Sequence, residues 1–97
     1  MRLHDFINST AGINLTSQLF ITVEDNLYPI THLRVADECL RLEYQQPQAP
    51  ITLAQFLKET NSLTVNYRIT YQNNLTSQSI NVWGYRINHE QHQIIVH

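Results

Sequence analysis

Glycine is nearly missing from this chain: Gly12 and Gly84 are the only two in 97 residues. A glycine-rich phosphate cradle is therefore absent, as is the glycine-flanked serine turn that exposes a nucleophile. There is one cysteine, Cys39, so no intramolecular disulfide can form, which fits a reducing compartment. Charge is sparse. Asp, Glu, Lys and Arg make up 14%, against about 25% in average proteins, and Lys58 is the only lysine. With a net charge of −2, the chain lacks the clustered basic residues that sequence-independent nucleic-acid binding needs, and nucleic acid is not expected as a partner. No apolar run approaches the roughly 18 residues of a membrane span, and the first residues lack the basic and apolar regions of a secretory leader. The expectation is a cytoplasmic protein without a membrane partner. The three Asn-X-Ser/Thr triplets, at Asn8, Asn14 and Asn74, then read as coincidence in an Asn- and Thr-rich chain.

What is present is ordinary globular composition, 42% hydrophobic, with Asn, Gln, Thr and Ser filling the polar positions. Few charges means little repulsion between copies of the chain.

The strongest pattern is internal. Arg2-Leu3-His4-Asp5-Phe6-Ile7 is echoed by Thr52-Leu53-Ala54-Gln55-Phe56-Leu57. The stretch from Phe20 to Leu27 is echoed by Arg68 to Leu75, and Leu40-Arg41-Leu42 by Ile94-Ile95-Val96. A unit of about fifty residues is too small to bury a core alone. Two copies packed on each other in one domain are therefore expected: repeat one over 1–45, a proline-containing linker over 45–50, and repeat two over 51–97.

Local signals fill in each copy. Thr52 and Gln55 match a capping box, Ile51 and Phe56 a hydrophobic staple, and Leu53, Phe56 and Leu57 form one apolar face. These predict a helix over 52–60 with Asn61 as a left-handed cap. Leu3, Phe6 and Ile7 make the matching stripe near the start, ending at Asn8 or Gly12. Residues 64–72 alternate, with Val65, Tyr67, Ile69 and Tyr71 on one side, which predicts a half-buried strand. Residues 19–24, 28–35, 39–44, 78–87 and 92–96 read as the other strands. The predicted fold is α+β: two tandem helix-β-β-β repeats about a pseudo-twofold axis, with a mostly antiparallel sheet.

Chemical constellations are thin. His89, His92 and His97 are the best metal candidates, but His89 and His92 flank a predicted hairpin turn rather than sharing a helix face, and no metal is expected. Cys39 has Asp37, Glu38 and Glu43 close by in sequence, negative charges that do not suit an activated thiolate, so it reads as a small apolar strand residue. Tyr67 and Tyr71 share a face with Val65 and Ile69 while Arg68 lies opposite, a core stripe rather than a base-stacking platform. No catalytic residue and no cofactor are expected.

Trp83 and Tyr85 stand apart. In one continuous strand they point away from Val82, so the strand would be apolar on both faces. Short helices cover one face of a sheet, which leaves Trp83 and Tyr85 as the predicted interface.

The first half resembles short uncharacterised bacterial and phage-borne proteins. The likeness lies in the brief N-terminal helix, the strand after it, and the strand opening Tyr28-Pro29-Ile30-Thr31, and it covers about forty-five residues. The second half has Gln78-Ser79 where the Tyr-Pro pair would fall. The resemblance implies a small bacterial or mobile-element accessory protein and brings no catalytic motif. The expected function is a non-enzymatic protein-interaction module that pairs with a protein partner or with itself as a homodimer. The alternative is a small-molecule-binding protein with its pocket between the repeats.

Overall fold

The computed structural model describes residues 1–97. Helix α1 (Leu3–Ser9) is followed by β1 (Gln18–Val23), β2 (Asn26–Ala36) and β3 (Cys39–Tyr44). Helix α2 (Leu53–Thr60) is followed by β4 (Arg68–Gln72), β5 (Ser79–Asn81), β6 (Tyr85–Asn88) and β7 (Gln93–Val96). The fold is α+β, a seven-stranded sheet in the order β5-β4-β3-β2-β1-β7-β6 curled into a half-barrel around one core.

Strand β2 makes the curl. Its first residues, Asn26 to Pro29, pair antiparallel with β1, and Ile30 to Ala36 pair antiparallel with β3. A bulge at Thr31, between Ile30 and His32, marks the change of partner. Both hairpins flanking β2 turn without glycine, through Glu24-Asp25 and Asp37-Glu38, all at positive φ. The short side chains of Asp25 and Asp37 suit this region because they can bond the local backbone; Glu24 and Glu38 lack that property and share the turns with them.

The sheet is mixed, which corrects the mostly antiparallel expectation. Strand β1 runs parallel to β7, pairing Leu19 with Ile94, and β3 runs parallel to β4, pairing Leu40 with Ile69. The second half also carries four strands instead of three. The single strand expected over 78–87 is broken at Val82-Trp83-Gly84. Backbone bonding accounts for the break. The Met1 nitrogen donates to Val82 O at 2.7 Å, and Trp83 and Gly84 both donate to His97 O, at 2.8 and 3.2 Å. These bonds divert the chain from a straight ladder.

The strand expected from Thr64 begins only at Arg68, and Val65 is 54% exposed. Strand β3 starts at Cys39, opposite Arg68, so residues 64–67 have no neighbour on that side. Asn61 ends α2 with φ −59°, so it is not the left-handed cap expected. Thr52 does cap α2: its Oγ1 accepts from the Gln55 amide at 3.2 Å. On α1 the equivalent bond runs the other way, the Arg2 amide donating to Asp5 Oδ2 at 3.3 Å.

The segments leading into the helices are stitched to the strands. Leu3 N–H donates to Tyr67 O at 2.8 Å and Leu53 N–H to Ser17 O at 2.8 Å. Ile69 N–H donates to Met1 O at 3.0 Å and Leu19 N–H to Ile51 O at 2.9 Å. Arg2 bridges Arg68, and Thr52 bridges Gln18. At the helix ends, Thr10 Oγ1 donates to Phe6 O at 2.7 Å and Thr60 Oγ1 to Phe56 O at 2.8 Å, which satisfies two buried hydroxyls. The core between the helices and the sheet is built from Leu3, Phe6, Leu53 and Phe56 against Leu19, Ile21, Ile30, Leu40, Leu42, Ile69, Val82, Ile94 and Val96. No helix is long and apolar enough to cross a membrane.

Candidate interaction surfaces

Trp83 lies at the break between β5 and β6. Its backbone is anchored to His97, while its side chain is 79% exposed and has no aromatic neighbour. An indole left in water at a rigid point of the backbone is costly surface, and such surface commonly marks a contact. Tyr85, predicted to share its face, parts from it. The break turns Tyr85 inward: its ring meets Phe6 edge-on at 5.4 Å, and its hydroxyl donates to Ser9 Oγ at 2.9 Å. Tyr85 thus holds β6 to α1, and Trp83 alone projects.

A second feature was not read from the sequence. On the outer face of β2, β3 and β4, a polar groove of about 390 Å³ is lined by His32, Arg41, Glu43, Gln45, Gln72 and Asn74, with Thr31 at its base. Leu40, Leu42 and Tyr44 point into the core, so strand alternation sends Arg41 and Glu43 to the outer face. The parallel register pairing Leu42 with Tyr71 then sets Gln72 beside Glu43. Thr31 is itself buried in the bulge, its Oγ1 donating to Glu43 O at 3.4 Å and lying 3.0 Å from His32 Nδ1. The groove's charges have only loose partners. Arg41 reaches the exposed Asp37 at 3.1 Å, and Glu43 lies 3.4 Å from an exposed Arg34. Exposed pairs of this kind contribute little and exchange readily. The signal for this groove was the outward half of the β3 alternation; the adjacency of β3 and β4 that completes it is non-local.

The space between the two halves is closed. Phe6, Leu19, Ile30, Leu42, Phe56, Ile69, Val82 and Val96 surround a void of about 10 Å³ there, at the lower limit for one water and lined only by apolar side chains.

The other sequence candidates are dispersed. His89 and His92 line a shallow groove with Gly12, Asn14 and Ser17, while His97 sits against Gly84. No three His, Cys, Asp or Glu side chains converge as a metal would require. Cys39 is half-buried, and its surroundings include Arg2 and Arg68 as well as Asp37 and Glu38. Tyr71 is buried, in edge contact with Tyr44 at 6.4 Å, and Tyr44 packs on Tyr28 at 5.1 Å. Burial pushes the Tyr71 phenol above its usual value, with smaller upward contributions from Tyr44 and Glu24. This cluster belongs to the core and its rim and offers no stacking face.

Comparison with known protein families, curated proteins and solved structures finds no match.

Proposed function

We propose that this chain is a small bacterial, cytoplasmic protein-interaction module without enzymatic activity, and that it associates with a second copy of itself through Trp83. The observation that carries the reading is the exposed indole on an anchored backbone. Sparse charge supports it, since little repulsion opposes association. The alternative, a small-molecule pocket between the halves, has only a void of about 10 Å³ in its favour.

The architecture behind this reading is a duplication: residues 1–45 and 51–97 as two copies of one unit about a pseudo-twofold axis. Reciprocal bonds support it. Leu3 to Tyr67 has its counterpart in Leu53 to Ser17, and Ile69 to Met1 in Leu19 to Ile51. The closed void has four matching pairs of walls: Phe6 and Phe56, Leu19 and Ile69, Ile30 and Val82, Leu42 and Val96. On this alignment β5 and β6 together stand where β2 stands in the first copy. The matching of Phe20 to Arg68 read from sequence is out by two positions, since these bonds pair Leu19 with Ile69.

Sedimentation tests the functional reading. The wild type is expected to run as an associated species at high micromolar concentration. Trp83→Glu is expected to run as a folded monomer, because the side chain it replaces touches solvent and not the core. A wild type that stays monomeric overturns the proposal, and a Trp83→Glu chain that unfolds places Trp83 in the core.

A further inference from the structure

We infer that Trp83 of one copy docks in the polar groove formed by Thr31, His32, Arg41, Glu43, Gln45 and Gln72 of another, so that the contact is knob into hole and not Trp on Trp. This rests on the self-association reading above and specifies its partner surface.

A lone projecting indole is a poor self-complementary patch. It buries about 150–250 Å² at most, whereas a stable interface removes about 1,000 Å² or more. It needs a concave receptor around which further surface can close. The molecule has a receptor of suitable size on its outer face, about 390 Å³.

The chemistry matches an amphipathic ring. The guanidinium of Arg41, four-fifths buried and held only by an exposed Asp37, is placed to stack on an indole face. The Glu43 carboxylate and the Gln72 side-chain oxygen offer acceptors for the single indole N–H donor, while the Gln45 oxygen already accepts from Gln48 Nε2 at 3.2 Å. The exposed aliphatic Leu75 could supply neither a ring for Arg41 to stack on nor an N–H for Glu43, which favours tryptophan over Leu75 as the occupant.

The groove is not filled by the chain's own Trp83. The bulge residue Thr31 follows Ile30, whose carbonyl accepts from Ile51 N–H at 2.8 Å. Trp83 follows Val82, whose carbonyl accepts from the Met1 nitrogen at 2.7 Å. The two residues thus occupy corresponding places in the two halves. In the first half the position is a small buried threonine with an open groove over it. In the second it is an exposed tryptophan. The halves present a hole and a knob, and knob meets hole only between chains.

A mixing experiment tests this. Trp83→Glu removes the knob and leaves the groove. The double variant His32→Glu/Gln45→Glu changes two exposed groove residues, placing carboxylates beside Arg41 and leaving the knob. Each variant alone is expected to sediment as a monomer with a cooperative melt like that of the wild type. An equimolar mixture is expected to restore a one-to-one complex, since it contains one intact knob and one intact groove. If the groove variant associates as well as the wild type while Trp83→Glu does not, Trp83 pairs by another surface. The inference then fails and the self-association reading stands. If the mixture of two monomeric variants stays monomeric, the inference likewise fails. If the wild type is itself monomeric, both fall together.

Discussion

Phe6 and Phe56 face each other at the centre of the molecule, ring centroids 4.8 Å apart and planes inclined at 57°. Each comes from the middle of a short helix, and each is 2% exposed. The tilted contact suits two aromatic quadrupoles better than a flat stack. It ties α1 to α2 directly, so the halves share one core that neither could form alone.

That contact gives the first prediction. Phe6→Leu and Phe56→Leu should each cost about 1–2 kcal/mol, and by similar amounts, because both rings are equally buried and line the same void. The double variant should cost less than the sum, with a coupling of about 0.5–1.5 kcal/mol from the lost ring pair. Chemical denaturation of the four proteins closes the cycle. Strictly additive costs would mean that the rings are neighbours without a specific interaction.

Thr52 gives the second. Its hydroxyl accepts from the Gln55 amide, one of the otherwise unpaired donors at the start of α2. Thr52→Ala should cost about 1 kcal/mol, and Thr52→Asp should recover most of it. An unchanged denaturation midpoint in the alanine variant would show that the cap contributes nothing.

The elements that could be read from sequence are those whose cause is local. Helix α2 follows from Thr52, Gln55 and the Leu53-Phe56-Leu57 face, and β3 has the limits its sequence predicts because Leu40, Leu42 and Tyr44 alternate cleanly into the core. The misreadings come from distant partners. Val65 and Tyr67 continue the alternation of β4, but no strand lies beside them. Trp83 and Tyr85 have the spacing of one strand face, but Met1 and His97 take the backbone groups that would have kept the strand straight. The parallel pairings of β1 with β7 and β3 with β4 leave no mark in hydrophobic period, which records which face is buried and not which neighbour lies alongside. For the same reason Trp83 could be nominated from sequence while the groove of Arg41 and Gln72 could not: its walls come from three strands joined by those pairings.

The histidines give the third prediction. Chain purified without a histidine tag should carry no stoichiometric transition metal, because His89 and His92 share a shallow groove with no third ligand. Elemental analysis checks it. Near one zinc or nickel per chain, lost on His89→Ala and His92→Ala, would overturn the expectation and reopen an enzymatic reading.

Tyr71 gives the last. Burial, with Tyr44 and Glu24 nearby, raises its pKa in the folded chain above the ordinary value of about 10. The folded state therefore holds the phenolic proton at pH values where the unfolded state has released it. The unfolded state binds fewer protons there, so stability must fall as pH rises. The contribution is fully present below pH of about 10 and is lost as pH climbs from that value through the folded pKa. Tyr71→Phe removes the titrating group and keeps the ring against Tyr44. Its unfolding free energy should fall less steeply above pH of about 10 than that of the wild type, with no difference in slope near neutrality. Denaturant melts at intervals across the alkaline range measure both slopes. If the two proteins lose stability in parallel, the Tyr71 phenolate is as well accommodated in the fold as in water, and burial at this site does not govern its ionisation.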